Sequence, residues 1–510
     1  MLKGIFTFGG FTLLSRIAGF ARDIATAAIL GAGPLADAFV VAQRLPNHFR
    51  TIFGEGAFNA AFVPAYAHLR GSAGEAAARR FADRIFTLLL IVQAVLLVLA
   101  FLFMPQVVGM LAPGFSDDPE RRMLAIELTR ITFPYLLLIT VVTLFGAILN
   151  VLNRYASAAA APILLNLSII VALALAAFFP TAGHAAAWGV LIAGVLEVLL
   201  LAVDAGRLGV LPRLTWPRFD SDVREFFKAL GPATIGSMGP QIAVLADTII
   251  GSFLATGALA ALYYADRLNQ LPIGVIGVAA GTVLLPTMSR LLAAGDEKGA
   301  LDAQRKVIDL TLLLSLPFVV AFLVVPDVIM RAMFARGAFS QADAANAAQT
   351  LSAYAVGLLP FVLIRSAVAP FQARKDTATP AKAALIGVAA NLAAKVALSG
   401  ALAQTGLALA TAIGAWVNLL IVVGFAVRAN YIVFDRRLGL SLLKFAGSAV
   451  VLAAVLWTAA VFVAPRLLAH IHTGREELTL ALLVAVGAVV YLALILALFG
   501  PRWLRSLTRA

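Results

Sequence analysis

The stretch FTLLSRIAGFARDIATAAILGAGPLADAFVVAQRLPNHFRTIFGEGAFNAAFVPAYAHLR, residues 11–70, decides the fold. It reads as two hydrophobic helices joined by the turn GAGPL. Among its apolar runs stand Arg16, Arg22, Asp23, Asp37, Arg44, Arg50 and Glu55. A charge at the centre of a bilayer costs about 2.5–3.5 kcal/mol on insertion scales, so such residues face a bundle interior or a water-filled cavity. Several basic groups in one helical pair point to an anionic ligand, and this stretch is the candidate site.

The rest of the chain has the same character. Of 510 residues, 62% are hydrophobic and 13% charged, and the mean hydropathy is +0.97. Soluble domains are nearer 45–50% apolar and about 25% charged, so the composition is that of an all-α polytopic membrane protein. A net charge of +13 would suggest nucleic acid in a soluble protein. Here the cations cluster in short loops between apolar runs, where topology accounts for them, and no nucleic-acid partner is expected. With no cysteine, disulfides, thiolate metal sites and cysteine nucleophiles are excluded.

A helix needs about 20 mostly apolar residues to span a bilayer. Such runs fall at roughly 3–31, 35–69, 81–111, 121–152, 156–179, 185–207 and 222–255. They continue at roughly 258–293, 303–334, 342–373, 378–404, 407–431, 439–465 and 477–500, about fourteen in all. Alternate loops are rich in Lys and Arg: Arg70 to Arg84, Arg154, Arg207 to Lys228, Arg290 to Lys306, Arg374 with Lys375, and Arg428 to Lys444. By the positive-inside rule these loops, and both termini, are expected in the cytoplasm. The first run has only Lys3 before it and is interrupted by Arg16 and Arg22; it reads as a retained span, not a signal peptide.

An internal echo organises the spans. Asp23 and Asp247 each lie ten residues before a glycine, Gly33 and Gly257. Pro64 and Pro286 sit in similar runs, and NLSIIVAL from Asn166 returns as NLAAKVAL from Asn391. The shared offset of roughly 225 residues predicts two pseudo-symmetric six-helix lobes around a central cavity, plus two C-terminal helices. Such repeats are common in secondary transporters. The expected division is 1–219, 220–432 and 433–510.

Within the first helix Arg16 and Asp23 share a face, with Arg22 about 100° round from Asp23; Gly19 lies between the arginines and permits a bend. In the second, Asp37 and Arg44 share a face, and Pro46 is expected to break the hydrogen-bond ladder. The competing explanation is structural, with Arg22–Asp23 or Asp37–Arg44 pairs simply holding helices together. Arginine nevertheless suits phosphate, because its planar fork makes bidentate charge-assisted bonds. Downstream, Arg267 in YYADR is a further anion contact or a snorkelling arginine. Asp247 and Lys395, each in an apolar run, are expected to pair. Glu197 is a lone acid without an assigned role. There is no P-loop and no H-E-x-x-H among the five histidines, so nothing reads as an enzyme, and neither cofactor nor metal is expected.

The motifs S-R-x-x-G-x-x-R-D at Ser15–Asp23, A-D-A-F at Ala36–Phe39, L-P-N at Leu45–Asn47 and F-G-E-G-A-F-x-x-A-F-V-P at Phe53–Pro64 together resemble the MurJ (MviN) family. So do YYADRL at Tyr263–Leu268 and FQARKDTATP at Phe371–Pro380. This family belongs to the multidrug/oligosaccharidyl-lipid/polysaccharide exporter superfamily. The resemblance implies a lipid II flippase of peptidoglycan synthesis in the bacterial inner membrane. Its substrate would be undecaprenyl-diphosphate carrying a disaccharide-pentapeptide, its other partners membrane lipids and cell-wall synthesis proteins. It also implies substrate-binding roles for Arg16, Arg22, Arg50 and Arg267, with Asp37, Asn47 and Glu55 beside them, and a lipid-tail groove in the last two helices. Some members hold sodium near Asp247; here Lys395 stands among the ligand positions, which argues against a sodium site. The rivals are a flippase for another polyprenyl-diphosphate glycan and a cation-coupled multidrug exporter. The exporter would need an acidic, aromatic-lined cavity, which the first-lobe arginines oppose.

Overall fold

The computed structural model describes residues 2–51, 56–468, 470–471 and 474–508. Among these residues there is no strand, and ten helices are long and apolar enough to cross a membrane. With no water to satisfy N–H and C=O groups in a bilayer, helices are the economical solution. The chain divides into two compact units, the first comprising residues 1–260 with 337–339, the second 261–336 with 340–510.

The first unit opens with α1 (Leu2–Leu30), α2 (Pro34–Phe49), α3 (Ala57–Ser72) and α4 (Glu75–Leu102). A short α5 (Met104–Leu111) and a 3-10 turn lead to α6 (Pro119–Thr132) and α7 (Tyr135–Val151). Then come α8 (Ala156–Ala174), α9 (Ala182–Arg207) and α10 (Ser221–Gly251). Packing runs α1 on α8, α8 on α9, and α9 on α6 and α7, with α2 on α6 and α3 on α10. Small residues set these distances, as lipid-embedded helices require. A Cβ on Gly189 of α9 would lie 2.9 Å from the Ile169 Cα of α8. Where α3, α4 and α10 meet, Phe58, Phe62, Phe81 and Phe226 form a stacked and edge-to-face cluster.

Pro46 does not end α2, which continues to Phe49. The 35–69 run holds two helices, α2 and α3. The 121–152 run is likewise divided, at Phe133–Pro134 between α6 and α7. Between α9 and α10 the chain, from Val210 to Asp220, forms neither helix nor strand. There Asp83 of α4 accepts from the Arg213 N–H at 2.8 Å, and Thr87 from the Thr215 N–H at 3.0 Å. Asp220 caps α10 through the Val223 N–H and pairs with Arg84.

The second unit takes in most of α11 (Ala258–Pro272), then α12 (Val278–Ala293), α13 (Glu297–Val324), α14 (Pro326–Phe334) and α15 (Gln341–Ala373). It ends with α16 (Ala378–Arg428), α17 (Arg436–Thr458), a π-turn into α18 (Ala464–Leu467), α19 (Arg475–Phe499) and α20 (Pro501–Thr508). Helix α16 is two arms, because Ala403 leaves helical geometry at φ 47°, ψ −132°. The arms lie side by side: a Cβ on Gly387 would fall 2.8 Å from the Asn418 Cβ, and one on Gly414 2.6 Å from the Asn391 Cβ. Helix α15 packs on α16, α13 and α12, while α17 joins α13 to α19. Polar ties fix α17 and α19 to α13: Ser441 donates to Asp309 at 2.8 Å and Tyr491 to the Leu313 carbonyl at 3.0 Å.

Candidate functional site

The charges of residues 11–70 divide among different sets of partners. In α1, Arg22 donates to Asp23 Oδ1 from Nε at 3.0 Å and from Nη2 at 2.5 Å, and from Nη1 to Asn166 Oδ1 of α8 at 3.0 Å. Asn166 in turn donates to the Ser15 carbonyl at 3.1 Å. Gly19 makes room: a Cβ there would already sit 3.4 Å from Asn166 Nδ2. The Arg22–Asp23 pair anticipated as a structural alternative therefore forms, and it orients the guanidinium as it neutralises it. Arg16 lies on the same helix with its side chain exposed.

Asp37 is fully buried, and its partners differ from the Asp37–Arg44 alternative. It accepts from the Gly257 N–H at 2.8 Å and the Ala260 N–H at 2.9 Å, at the start of α11. It also faces Arg121 of α6 at 3.6 Å. A carboxylate at a helix N-terminus satisfies orphan donors and complements the dipole. Arg121, itself buried, donates to Asp118 Oδ2 at 2.7 Å and to the Leu254 carbonyl at 3.3 Å, and lies 4.8 Å over the Phe115 ring. Asp118 caps α6 outside the spanning segment. The Arg121 backbone N–H, with its guanidinium, holds the Asp118 carboxyl below its usual range. Glycines close this region. Gly31, Gly257 and Gly337 have φ of +69°, +90° and +59°, and a Cβ on each would lie, respectively, 2.6 Å, 2.4 Å and 2.2 Å from the carbonyl oxygen of Ala338, Ala32 and Ala28.

At the other end of α2, the Asn47 carbonyl accepts from Thr51 Oγ1 at 3.0 Å, and His48 Nδ1 lies 2.5 Å from Gln241 Oε1 of α10. Arg50 follows α2, and its charge acts on Tyr135 of α7. Tyr135 donates to Glu197 Oε2 of α9 at 3.2 Å, and the Glu197 charge faces Arg50. Glu55 lies outside the described residues.

Asp247 is buried in α10 of the first unit, and Lys395 is wholly buried in the first arm of α16 of the second. Arg267, half-buried in α11, places its guanidinium 4.7 Å from the Tyr263 ring centroid, a cation–π contact. Arg121 and Glu197 were not identified as partners of the site from sequence. The D-x-x-R spacing of Asp118 and Arg121 signals a helix start, and a lone acid in the apolar α9 signals a buried partner. Asn166, 144 residues from Arg22, carried no local signal.

A family model described as lipid II flippase MurJ matches residues 26–475. The chain is 37% identical over 505 residues to the probable lipid II flippase MurJ of Rhizobium meliloti (strain 1021), covering 98% of this chain and 94% of that protein. Against the probable lipid II flippase MurJ of Rhizobium tropici it is 38% identical over 503 residues, covering 96% and 93%. A solved lipid II flippase MurJ in an inward closed conformation aligns with TM-score 0.81 at 24% identity, over 98% of this chain and 99% of that one. An inward-facing MATE-family multidrug resistance transporter of the MOP superfamily aligns with TM-score 0.67 at 16% identity, over 83% and 97%. At these identities the two structures speak for the fold alone.

Proposed function

Because this chain belongs to the lipid II flippase MurJ family, and so is a multi-pass membrane transporter rather than an enzyme, we propose that it moves lipid II from the cytoplasmic to the periplasmic leaflet. Arg16, Arg22, Arg50 and Arg267 bind the diphosphate, with Asp37, Asn47 and Glu55 shaping the polar surround, and the prenyl chain stays in lipid. The headgroup crosses by alternating access. In this reading the chain has fourteen crossings: the ten long apolar helices with the two arms of α16 counted separately, and the charge-bearing α1, α2–α3 and α10. It keeps the two six-helix lobes, 1–219 and 220–432, the tail-groove helices of 433–510, and both termini in the cytoplasm. Asp247 and Lys395 act as an internal charge pair in place of a bound cation.

The observation that carries this reading is the seating of Arg22. An arginine inside a span is costly, and here Asp23 and Asn166 fix its fork from two helices. Preorganised guanidinium is what bidentate diphosphate recognition needs. A cation exporter would have no use for it. The test is translocation of a headgroup-labelled lipid II in proteoliposomes, read by quenching from outside. Wild type is expected to flip the label and Arg22→Ala to lose the activity at equal incorporation. Equal flipping by both proteins would defeat the assignment.

A further inference from the structure

The chain between α9 and α10 leaves its apolar side chains outside. In LPRLTWPRF, residues 211–219, Trp216 is 82% exposed, Leu214 70% and Phe219 64%. Yet the backbone beneath them is fixed. The Asp83 carboxylate, itself buried in α4, accepts from the Arg213 N–H, and Thr87 Oγ1, one turn on, from the Thr215 N–H. The Val210 N–H bonds the Ala205 carbonyl at 2.9 Å, while Pro212 and Pro217 have no N–H to satisfy. Asp220 closes the segment through Arg84 and the first turn of α10. A held backbone that presents apolar groups outward is a built surface, not a slack loop.

The depth of the clamp says what that surface meets. Residues 85–102 of α4 carry no charge. At about 1.5 Å per residue they measure about 27 Å, close to the hydrocarbon thickness of about 30 Å. Asp83 and Thr87 therefore bracket the edge of the hydrocarbon, and the segment they hold lies at headgroup level. Tryptophan is favoured there, because its ring is amphipathic. Phe219 leans on Phe227 of α10, with ring centroids 5.7 Å apart. Arg213 and Arg218 are exposed among these side chains, and the segment's one carboxylate, Asp220, is already paired with Arg84. Apolar groups interleaved with cations match an anionic phospholipid surface.

We propose that residues 210–219 lie in the lipid–water interface, with Leu214, Trp216 and Phe219 in the headgroup–acyl boundary and Arg213 and Arg218 on the phosphates of anionic phospholipids. In the orientation proposed above this is the cytoplasmic leaflet, whose surface is anionic. The segment anchors the end of α9 and the start of α10 to that leaflet and responds to its charge. The inference rests on α4 spanning the bilayer and not on the cargo, so its failure leaves the lipid II reading untouched.

The chain has no cysteine, so a single introduced one reports cleanly. Trp216→Cys carries a bimane fluorophore in the full chain in nanodiscs, with Ala73→Cys as the control. Ala73 is exposed at the turn into α4, roughly two turns before Asp83 along that helix. Nitroxide lipids labelled at the headgroup and shallow acyl carbons are expected to quench the Trp216→Cys label severalfold more than the control, and aqueous iodide severalfold less. Each arginine near an anionic surface is expected to favour the inserted form by about fivefold. Replacing phosphatidylcholine in part with phosphatidylglycerol should therefore deepen lipid quenching, and Arg213→Gln/Arg218→Gln should abolish that gain. If iodide reaches the Trp216→Cys label as freely as the control, and nitroxide lipids do not, the segment faces water. A soluble protein then becomes its partner, and the proposal is overturned. Lipid quenching that ignores both phosphatidylglycerol and the two arginines would overturn the phosphate contacts, and with them the proposal.

Discussion

Asp37 shows how much one side chain can hold. Its oxygens take two backbone N–H groups and face a buried guanidinium, so Asp37→Ala would leave the start of α11 without its acceptor and Arg121 with Asp118 as its remaining carboxylate. Breaking a buried pair from one side typically costs about 3–5 kcal/mol. The expected outcome is a sharply lower melting temperature in detergent, with Asp37→Asn intermediate. The neighbouring Asp118 makes a pH-dependent contribution. Its folded pKa lies below the ordinary 3.8, so the ionised form is favoured by folding. That stability is complete above the ordinary value and disappears as pH falls through the lowered one. The melting-temperature gap between wild type and Asp118→Asn is therefore expected to be steady near neutrality and to shrink below about pH 4. At this scale adjacency made Arg22–Asp23 legible in the sequence. The real partners of Asp37 and Arg22 lie on α6, α8 and the start of α11, and only the folded chain brings them near.

Elements were easier to read than their ends. Apolar length identifies spans because the bilayer sets it, and the break between the 378–404 and 407–431 runs matches the departure from helix at Ala403. What sequence concealed was where a proline matters. Pro46 stays inside α2, whereas Pro134 sits at the gap between α6 and α7, because tertiary packing decides whether a freed carbonyl finds another partner. Ala403 occupies backbone space suited to glycine, at a cost of order 1–3 kcal/mol. Ala403→Gly is expected to raise the melting temperature, and a fall would show that the turn depends on the methyl group. Gly337→Val should do the reverse. Its φ is +59° and a Cβ would meet the Ala28 carbonyl at 2.2 Å, so folding yield and melting temperature are both expected to drop.

For the molecule as a whole, composition settled the membrane class, and the motifs of residues 15–64 pointed to the family that residues 26–475 match. The pseudo-repeat, the leaflet orientation and the joint action of the four arginines remain proposals, because they concern arrangement and motion that no short motif encodes. The membrane potential adds about 2.3 kcal/mol per elementary charge per 100 mV, enough to bias a cycle that moves net charge. The most direct test of the central claim is complementation in a bacterium depleted of its own lipid II flippase, at matched membrane levels. Wild type is expected to restore growth, and Arg16→Ala, Arg22→Ala and Arg267→Ala to fail. Full rescue by all three variants, or no rescue by a well-inserted wild type, would contradict lipid II transport through these arginines.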